Sequence, residues 1–152
     1  DPRTRRRGIK NFPTFMRLLA QLDRAERTAA VRTGELVFAA IGCATCHVPV
    51  LETGPSANPL FHRKRVELFS DLLLHDVGTG DGIKQGAAAT NEIRTPALWG
   101  LRLRRPFMHD GSAGTLEEAV RQHAGEALLA VRGFERLSDE DRAALLAFLR
   151  SL

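Results

Sequence analysis

The sequence predicts an all-α fold with long loops. Four stretches carry apolar residues three and four positions apart, which is the period of an amphipathic helix. The segments between them are rich in proline and glycine, over lengths that are unusual in a compact domain unless a bound group organises them. A chain of 152 residues is large enough for one domain with a core of normal size.

Two helices are expected in the first 41 residues. Asn11 and Pro13 predict the start of a helix that continues to about Asp23. The second helix is expected from about Thr28 to Ile41. Its apolar face includes Gly34, which leaves room for another helix to approach closely.

Two more helices are expected near the end of the chain. Thr115 and Glu118 have the spacing of a capping box, and His123 falls on the apolar face of the helix that would follow. Ser138 is the expected N-cap of the last helix, which we expect to cross the helix that ends at Ile41. The apolar stripe of the last helix consists of Leu145, Phe148, Leu149 and Leu152.

Two of the segments between these helices are expected to be loops. Residues 48–59 carry three prolines and residues 78–86 carry four glycines, so we expect no regular structure in either segment. We divide the chain into an N-terminal helical extension, residues 1–30, and a single domain, residues 31–152.

The two cysteines of the chain occur in one motif, Cys43-Ala44-Thr45-Cys46-His47. Two thiols three residues apart can add to the two vinyl groups of a haem, and the next residue offers an imidazole to the iron. The motif therefore predicts one covalently bound haem c with His47 as its proximal ligand. Since the helix crossing expected above is what a cytochrome c fold requires, the fold prediction becomes an all-α, cytochrome c-like haem domain with long loops.

Two other interpretations of the cysteines stay open. A dithiol redox pair uses the same spacing, but it usually follows a strand, whereas a helix is expected here. A zinc site could combine Cys43 and Cys46 with His62 and His75, although no second closely spaced pair of ligands exists in the sequence.

Charge and hydropathy restrict the partners and the compartment. The formal net charge is +4, and a docking patch for an acidic redox partner is expected at Arg102, Arg104 and Arg105. No aromatic residues interleave with the arginines, so a nucleic-acid partner is not expected.

No apolar run in the sequence is long enough to span a bilayer. Covalent haem attachment implies the bacterial periplasm or another exported location, and a start without methionine implies a removed signal or a piece of a longer chain.

From Gly34 to the C-terminus the sequence resembles the C-terminal haem domain of the bacterial di-haem cytochrome c peroxidase-like family, most closely its branch known as thiol oxidoreductases. The resemblance rests on the haem motif, Phe69–Asp76, Arg94–Gly100, Phe107–Gly111 and Thr115–Ala119. In this family, a residue one helical stretch after the His-Asp-Gly turn is the second axial ligand, commonly methionine. His123 occupies that place.

The resemblance and the residues together give the candidate site. His123 is the first choice for the distal iron ligand and Met108 the second, with His75 and His109 as the remaining candidates. Arg94 and Trp99 are expected to donate hydrogen bonds to the haem propionates, because they flank the Thr-Pro turn of the family. Core packing is the alternative role for Trp99.

The expected function is electron transfer. The chain would be the electron-entry haem domain of a di-haem peroxidase-like oxidoreductase, or a mono-haem subunit of a redox complex. Its partner would be a redox protein, either a second haem-bearing chain or another domain. Members of the family pair two haems and this chain has one motif, so peroxidase activity is expected only with a second haem domain. The alternative is a haem peroxidase or oxidase with an open iron coordination site.

Overall fold

The computed structural model describes residues 2–20 and 22–152, with the exception of the side chains of residues 2–8 and 10. Within them lie five α-helices, joined by loops that contain short 3₁₀ turns and two small sheets. No described helix is long and apolar enough to cross a membrane. The helices are α1 (Pro2–Leu18), α2 (Ala29–Ala40), α3 (Leu116–Gln122), α4 (Leu128–Glu135) and α5 (Asp139–Leu149).

Helices α2 and α5 cross at Gly34, as the sequence predicts. A Cβ atom at Gly34 would lie 2.0 Å from the carbonyl oxygen of Ala144 and 2.7 Å from the Cβ atom of Phe148. The backbones of the two helices are therefore in contact, and only glycine fits at this position. The predicted N-cap of α5 is confirmed, since Ser138 accepts a hydrogen bond from the N–H group of Asp141. Thr28, the expected start of α2, is the N-cap of that helix and accepts a hydrogen bond from the N–H group of Val31.

Aromatic rings form the centre of the core around this crossing. Phe38 of α2 contacts Phe148 of α5 with ring centroids 5.2 Å apart, and Phe69 contacts both rings at 6.2 and 5.7 Å. The predicted stripe of α5 is buried, which confirms that prediction. The buried stripe is Leu145, Phe148, Leu149 and Leu152.

The predicted bounds of the first helix are wrong. Helix α1 begins at Pro2 and ends at Leu18, with Pro13 inside it. Proline lacks the N–H group that would bond the carbonyl of Ile9, but α1 is exposed there, so water can solvate that carbonyl. The apolar side chains of this stretch are exposed as well, since those of Phe12 and Phe15 are 64% and 60% exposed.

The fold is not purely α-helical, which corrects the predicted class in part. The antiparallel pair β1 (Leu51–Glu52) and β2 (Arg65–Val66) and the antiparallel pair β3 (Leu74–Asp76) and β4 (Glu92–Arg94) form two small sheets. Strands of two or three residues are too short to show an alternating pattern in the sequence. Strand β1 lies in the segment 48–59 that we expected to be a loop, whereas residues 78–86 contain no helix or strand, as predicted.

Helix α4 lies in a stretch for which the sequence analysis predicts no element. Its buried residues are Val131 and Phe134, three positions apart. Helix α4 has only 8 residues, so its periodic signal in the sequence is short.

Candidate haem site

The cysteine motif lies on a tight turn directly after helix α2. Gly42 adopts a left-handed conformation with φ of 93°, which ends the helix, and Cys43–Thr45 form a 3₁₀ turn. The backbone N–H group of His47 donates to the carbonyl of Cys43 at 3.0 Å. Both cysteines are free thiols at the two ends of this 3₁₀ turn, and the motif follows a helix rather than a strand. This setting favours haem attachment over a dithiol redox pair.

The imidazole of His47 is held by the backbone of Phe69. Its Nδ1 atom lies 3.0 Å from the Phe69 carbonyl oxygen. A carbonyl only accepts, so Nδ1 carries the hydrogen and the lone pair is on Nε2, the atom that can bind iron. Phe69 itself is 2% exposed and has a left-handed backbone with φ of 51°.

Burial shifts the pKa values of the ionisable side chains in the motif. Desolvation lowers the pKa of His47, and the nearby His123 and His75 lower it further, although the hydrogen bond to Phe69 opposes this. The neutral imidazole is the form that binds metal. Burial raises the pKa of the Cys43 thiol to about 11 and also raises that of Cys46. Both thiols are therefore protonated at neutral pH, unlike the reactive cysteine of a redox pair, whose pKa is lowered.

The surroundings of the motif fit a covalently attached haem. The N–H group of Asp71 donates to the carbonyl of Cys46 at 2.8 Å, and this contact holds the next three residues beside the motif. Those residues, Leu72, Leu73 and Leu74, are 47%, 61% and 45% exposed. Two thiols, a free imidazole Nε2 and an apolar surface next to them are the groups that a porphyrin requires.

His123 lies just beyond helix α3. The capping box of Thr115 and Glu118 is present as predicted, but the helix ends at Gln122 and His123 is its C-cap with an extended backbone. The half-buried imidazole donates from Nδ1 to the carbonyl of Ala119 at 2.7 Å, which leaves Nε2 free. His123 therefore lies at the end of the helix rather than within it, and its half-buried side chain contacts the preceding turn. His123 is among the groups that lower the pKa of His47, after burial of the imidazole.

The other candidate iron ligands have different environments. Met108 is half-buried and has a left-handed backbone with φ of 66°, in a turn that the N–H group of Gly111 closes on the Met108 carbonyl at 3.4 Å. His109 is exposed. His75 is in contact with two carboxylates, described below.

The four residues considered for zinc are brought together only in part, since Cys46 and His75 lie close to each other but His62 does not join them. His62 is exposed on the loop between β1 and β2, where the N–H group of Ser56 lies 3.0 Å from its Nδ1 atom. Instead, Cys46, Asp71 and His75 have potential ligand atoms within 4.8 Å of one another. A thioether bond at Cys46 would remove the thiolate from this group.

The predicted propionate donors lie on either side of the Thr-Pro turn. The indole N–H group of Trp99 donates to the carbonyl of Glu67 at 2.6 Å, so this donor is already used within the protein. Arg94 is exposed at the end of β4, where its guanidinium lies 3.5 Å from the Thr95 carbonyl.

The sequence analysis missed two groups of residues near the motif. Arg24 lies over the rings of Phe69 and Phe148, at 5.4 Å from each centroid, and pairs with Glu67 at 3.4 Å and Glu35 at 3.7 Å. Nothing local in the sequence marks Arg24, because its partners come from three distant segments.

The second missed group is a bridge of three side chains, Asp71, His75 and Glu126. His75 lies 2.8 Å from Asp71 through Nε2 and 2.8 Å from Glu126 through Nδ1. The spacing of four between Asp71 and His75 is a possible signal, but it indicates contact only on a helix, and this segment is not helical. Glu126 is 51 residues from His75, and no sequence pattern joins them.

The sequence matches one family model and is similar to two named proteins. Residues 15–152 match the family model of the di-haem oxidoreductases. The cytochrome c peroxidase Ccp of Escherichia coli is 29% identical over 130 residues, which cover 86% of this chain and 26% of that protein. The methylamine utilization protein MauG of Methylorubrum extorquens is 31% identical over 144 residues, which cover 84% of this chain and 34% of that protein. The chain thus spans about a quarter to a third of the length of these relatives.

Solved structures show the same fold. Hydrazine synthase of Kuenenia stuttgartiensis superposes with a TM-score of 0.61 over 91% of this chain and 52% of that chain, at 22% identity. A MauG-like protein associated with microbial copper homeostasis superposes with a TM-score of 0.53 over 84% of this chain and 45% of that chain, at 25% identity. With the family model matched from residue 15 to residue 152, the chain belongs to the di-haem oxidoreductase family.

Proposed function

We propose that this chain is a c-type cytochrome unit that transfers single electrons. The observation that carries the proposal is the His47 imidazole, whose Nδ1 hydrogen is bound to the Phe69 carbonyl while Nε2 remains free beside two free thiols. A haem bound there supplies an iron that is oxidised and reduced by one electron. Residues 31–152 are the proposed haem domain, with residues 1–30 as an extension.

In this proposal each residue of the motif has a defined role. Cys43 and Cys46 form thioether bonds to the haem, and His47 is the proximal ligand. His123 would be the distal ligand, since its Nδ1 hydrogen is bound to the Ala119 carbonyl and Nε2 is left for the iron. Met108 is the second choice, and Arg94 is the donor left for a propionate, because Trp99 donates to Glu67.

The proposed context is an exported di-haem oxidoreductase. The relatives are three to four times as long as the aligned segment, and the family is named for two haems, whereas this sequence has one haem motif. A second haem-bearing domain or chain would then exchange electrons with this one. In this context the protein would lie in the periplasm or an equivalent compartment, where haem is attached to cysteines.

The second candidate function is a haem peroxidase or oxidase, and the similarity to a cytochrome c peroxidase favours it. The two functions differ in the sixth coordination position of the iron. A second protein ligand closes that position and suits electron transfer, whereas peroxide needs it open.

Spectra of the purified holoprotein test the choice. We expect low-spin spectra for the native protein and for Met108→Ala, and high-spin spectra for His123→Ala, because removal of the distal ligand opens the iron. Steady-state peroxide reduction by the isolated native chain should be low. A high-spin native protein with rapid peroxide turnover would contradict electron transfer and support the peroxidase, and a change confined to Met108→Ala would make Met108 the ligand.

A further inference from the structure

We propose that His75 is a positioning residue that holds His123 at the haem, because it bridges the Cys46 turn and the segment that follows His123. The inference rests on the proposed ligation by His123. It concerns the three side chains of the bridge, Asp71, His75 and Glu126, none of which the proposed haem contacts require.

One end of the bridge is tied to the haem motif. The N–H group of Asp71 donates to the Cys46 carbonyl at 2.8 Å, and a carboxylate oxygen of Asp71 accepts from Nε2 of His75 at 2.8 Å. The second carboxylate oxygen accepts from the N–H group of Leu73 at 2.9 Å. The side chains of Asp71 and His75 are only 12% and 17% exposed. His75 is thus fixed relative to the turn that carries Cys46 and His47.

The other end of the bridge is tied to the segment after His123. Nδ1 of His75 donates to one carboxylate oxygen of Glu126 at 2.8 Å, and the other oxygen accepts from the N–H group of Asp76 at 2.9 Å. Glu126 is three residues beyond His123. The carboxylate therefore joins strand β3 to the loop on which the proposed distal ligand lies.

Backbone contacts keep the same loop against β3. The N–H group of Ala124 donates to the carbonyl of Val77 at 2.8 Å. A Cβ atom at Gly125 would lie 2.3 Å from the carbonyl oxygen of Asp76, and one at Gly78 would lie 2.7 Å from the Cβ atom of Ala124. The loop and the strand are in direct contact, so a displacement of β3 would displace His123.

The charge of His75 strengthens both links. Carboxylates only accept hydrogen bonds, so His75 needs a hydrogen on each ring nitrogen to bond both partners, which makes it an imidazolium. The hydrogen bonds to Glu126 and to Asp71 raise the pKa of His75 accordingly. Hydrogen bonds between ionised partners are roughly twice as strong as neutral ones.

A metal site is the other use that these residues suggest, since Cys46, Asp71 and His75 lie close together. The proposed thioether at Cys46 would leave only two strong protein ligands in that group. Both ring nitrogens of His75 are also occupied by carboxylates. We therefore assign the cluster to positioning.

Variants of the holoprotein test the bridge. Glu126→Ala removes the outer carboxylate, whose side chain is 55% exposed, so the fold should tolerate it. Glu126→Gln keeps an acceptor, and His75→Gln removes the imidazolium. The matched control is Glu117→Ala, which removes an ion pair with Arg121 at 2.9 Å on helix α3 but no link to β3. The measurements are the spin state of the oxidised haem and the hydrogen exchange rate of the Ala124 amide.

We expect Glu126→Ala and His75→Gln to gain a high-spin fraction and to exchange the Ala124 amide several times faster. Glu126→Gln should be closer to the native protein, and Glu117→Ala should match it. Native spectra and exchange in Glu126→Ala, with His123→Ala high-spin, would overturn the positioning role alone. If His123→Ala leaves the spectrum unchanged, the proposed ligation fails and the positioning role falls with it.

Discussion

His47 donates its Nδ1 hydrogen to the carbonyl of Phe69, a residue 22 positions further along the chain, at 3.0 Å. The ring of Phe69 packs against both Phe38 and Phe148 and lies under the guanidinium of Arg24. The orientation of the proposed iron ligand is therefore set by the aromatic core at the crossing of α2 and α5. A substitution that destabilises the helix crossing should therefore also disorder the haem site.

The helix crossing gives the first prediction. Gly34→Ala should lower the free energy of unfolding by about 2 kcal/mol, because its Cβ atom would collide with the Ala144 carbonyl and overpacked cores lose about 1–3 kcal/mol. Denaturant unfolding of the holoprotein measures it.

Gly54→Ala is the matched control for this prediction. Apart from its two chain neighbours, no atom of the described residues lies within 4 Å of the added Cβ, so the change in stability should stay within about 0.5 kcal/mol. Equal stability of the two variants would show that the backbones are not in contact at Gly34.

The bridge of Asp71, His75 and Glu126 gives a prediction on pH. The pKa of His75 is raised by its bonds to Glu126 and Asp71, so its contribution to stability is complete below its ordinary pKa of about 6.5 and is lost as the pH rises through the raised value. Partial burial acts to raise the pKa of Asp71, but the hydrogen bonds from His75 and Leu73 outweigh it and lower the pKa. The bond from His75 likewise lowers the pKa of Glu126.

The contribution of the two carboxylates to stability depends on pH in the opposite sense. Their stabilisation is present above ordinary carboxyl pKa values of about 4 and is lost as the pH falls through the lowered values. The groups that face His75 are Asp71, Glu126 and the Cys46 sulfur. The difference in unfolding free energy between the native protein and His75→Gln should therefore be largest between about pH 4.5 and 6.5. A difference that grows steadily above pH 7 would show that the bridge does not need the imidazolium.

The arginine cluster gives a prediction on partner binding. Arg102 and Arg104 donate to the carbonyls of Leu152 and Ala97, at 3.1 and 2.8 Å, so part of the expected patch also holds the fold. Arg105 is exposed. Arg105→Glu should slow electron exchange with an acidic redox protein at low salt, and the difference should shrink as salt screens the charges.

Arg132→Glu on helix α4 is the control for that prediction, because it makes the same change of charge on another exposed residue. Stopped-flow rates over a range of ionic strength measure both variants. Equal slowing by the two substitutions would mean that net charge, rather than a docking patch at Arg105, controls the encounter.

The sequence predicts the parts of this fold that depend on local patterns. Helices α2 and α5, the capping box of Thr115 and the crossing at Gly34 all follow from spacing and cap residues. The short strands and the bridge through His75 do not, because they depend on contacts between segments far apart in the chain. The predicted bounds of α1 are wrong because proline near the start of a helical pattern indicates a helix start, whereas an exposed helix can contain proline in its interior.

Covalent attachment of haem is the central claim, and the intact mass of the denatured holoprotein tests it most directly. The protein is produced in a host with a cytochrome c maturation system, denatured, and measured beside a Cys43→Ala/Cys46→Ala variant. We predict that the chain carries the added mass of one haem and stains for haem on a denaturing gel, while the double variant does neither. A native chain with the mass of the polypeptide alone, or colour that separates from it on denaturation, would contradict the account.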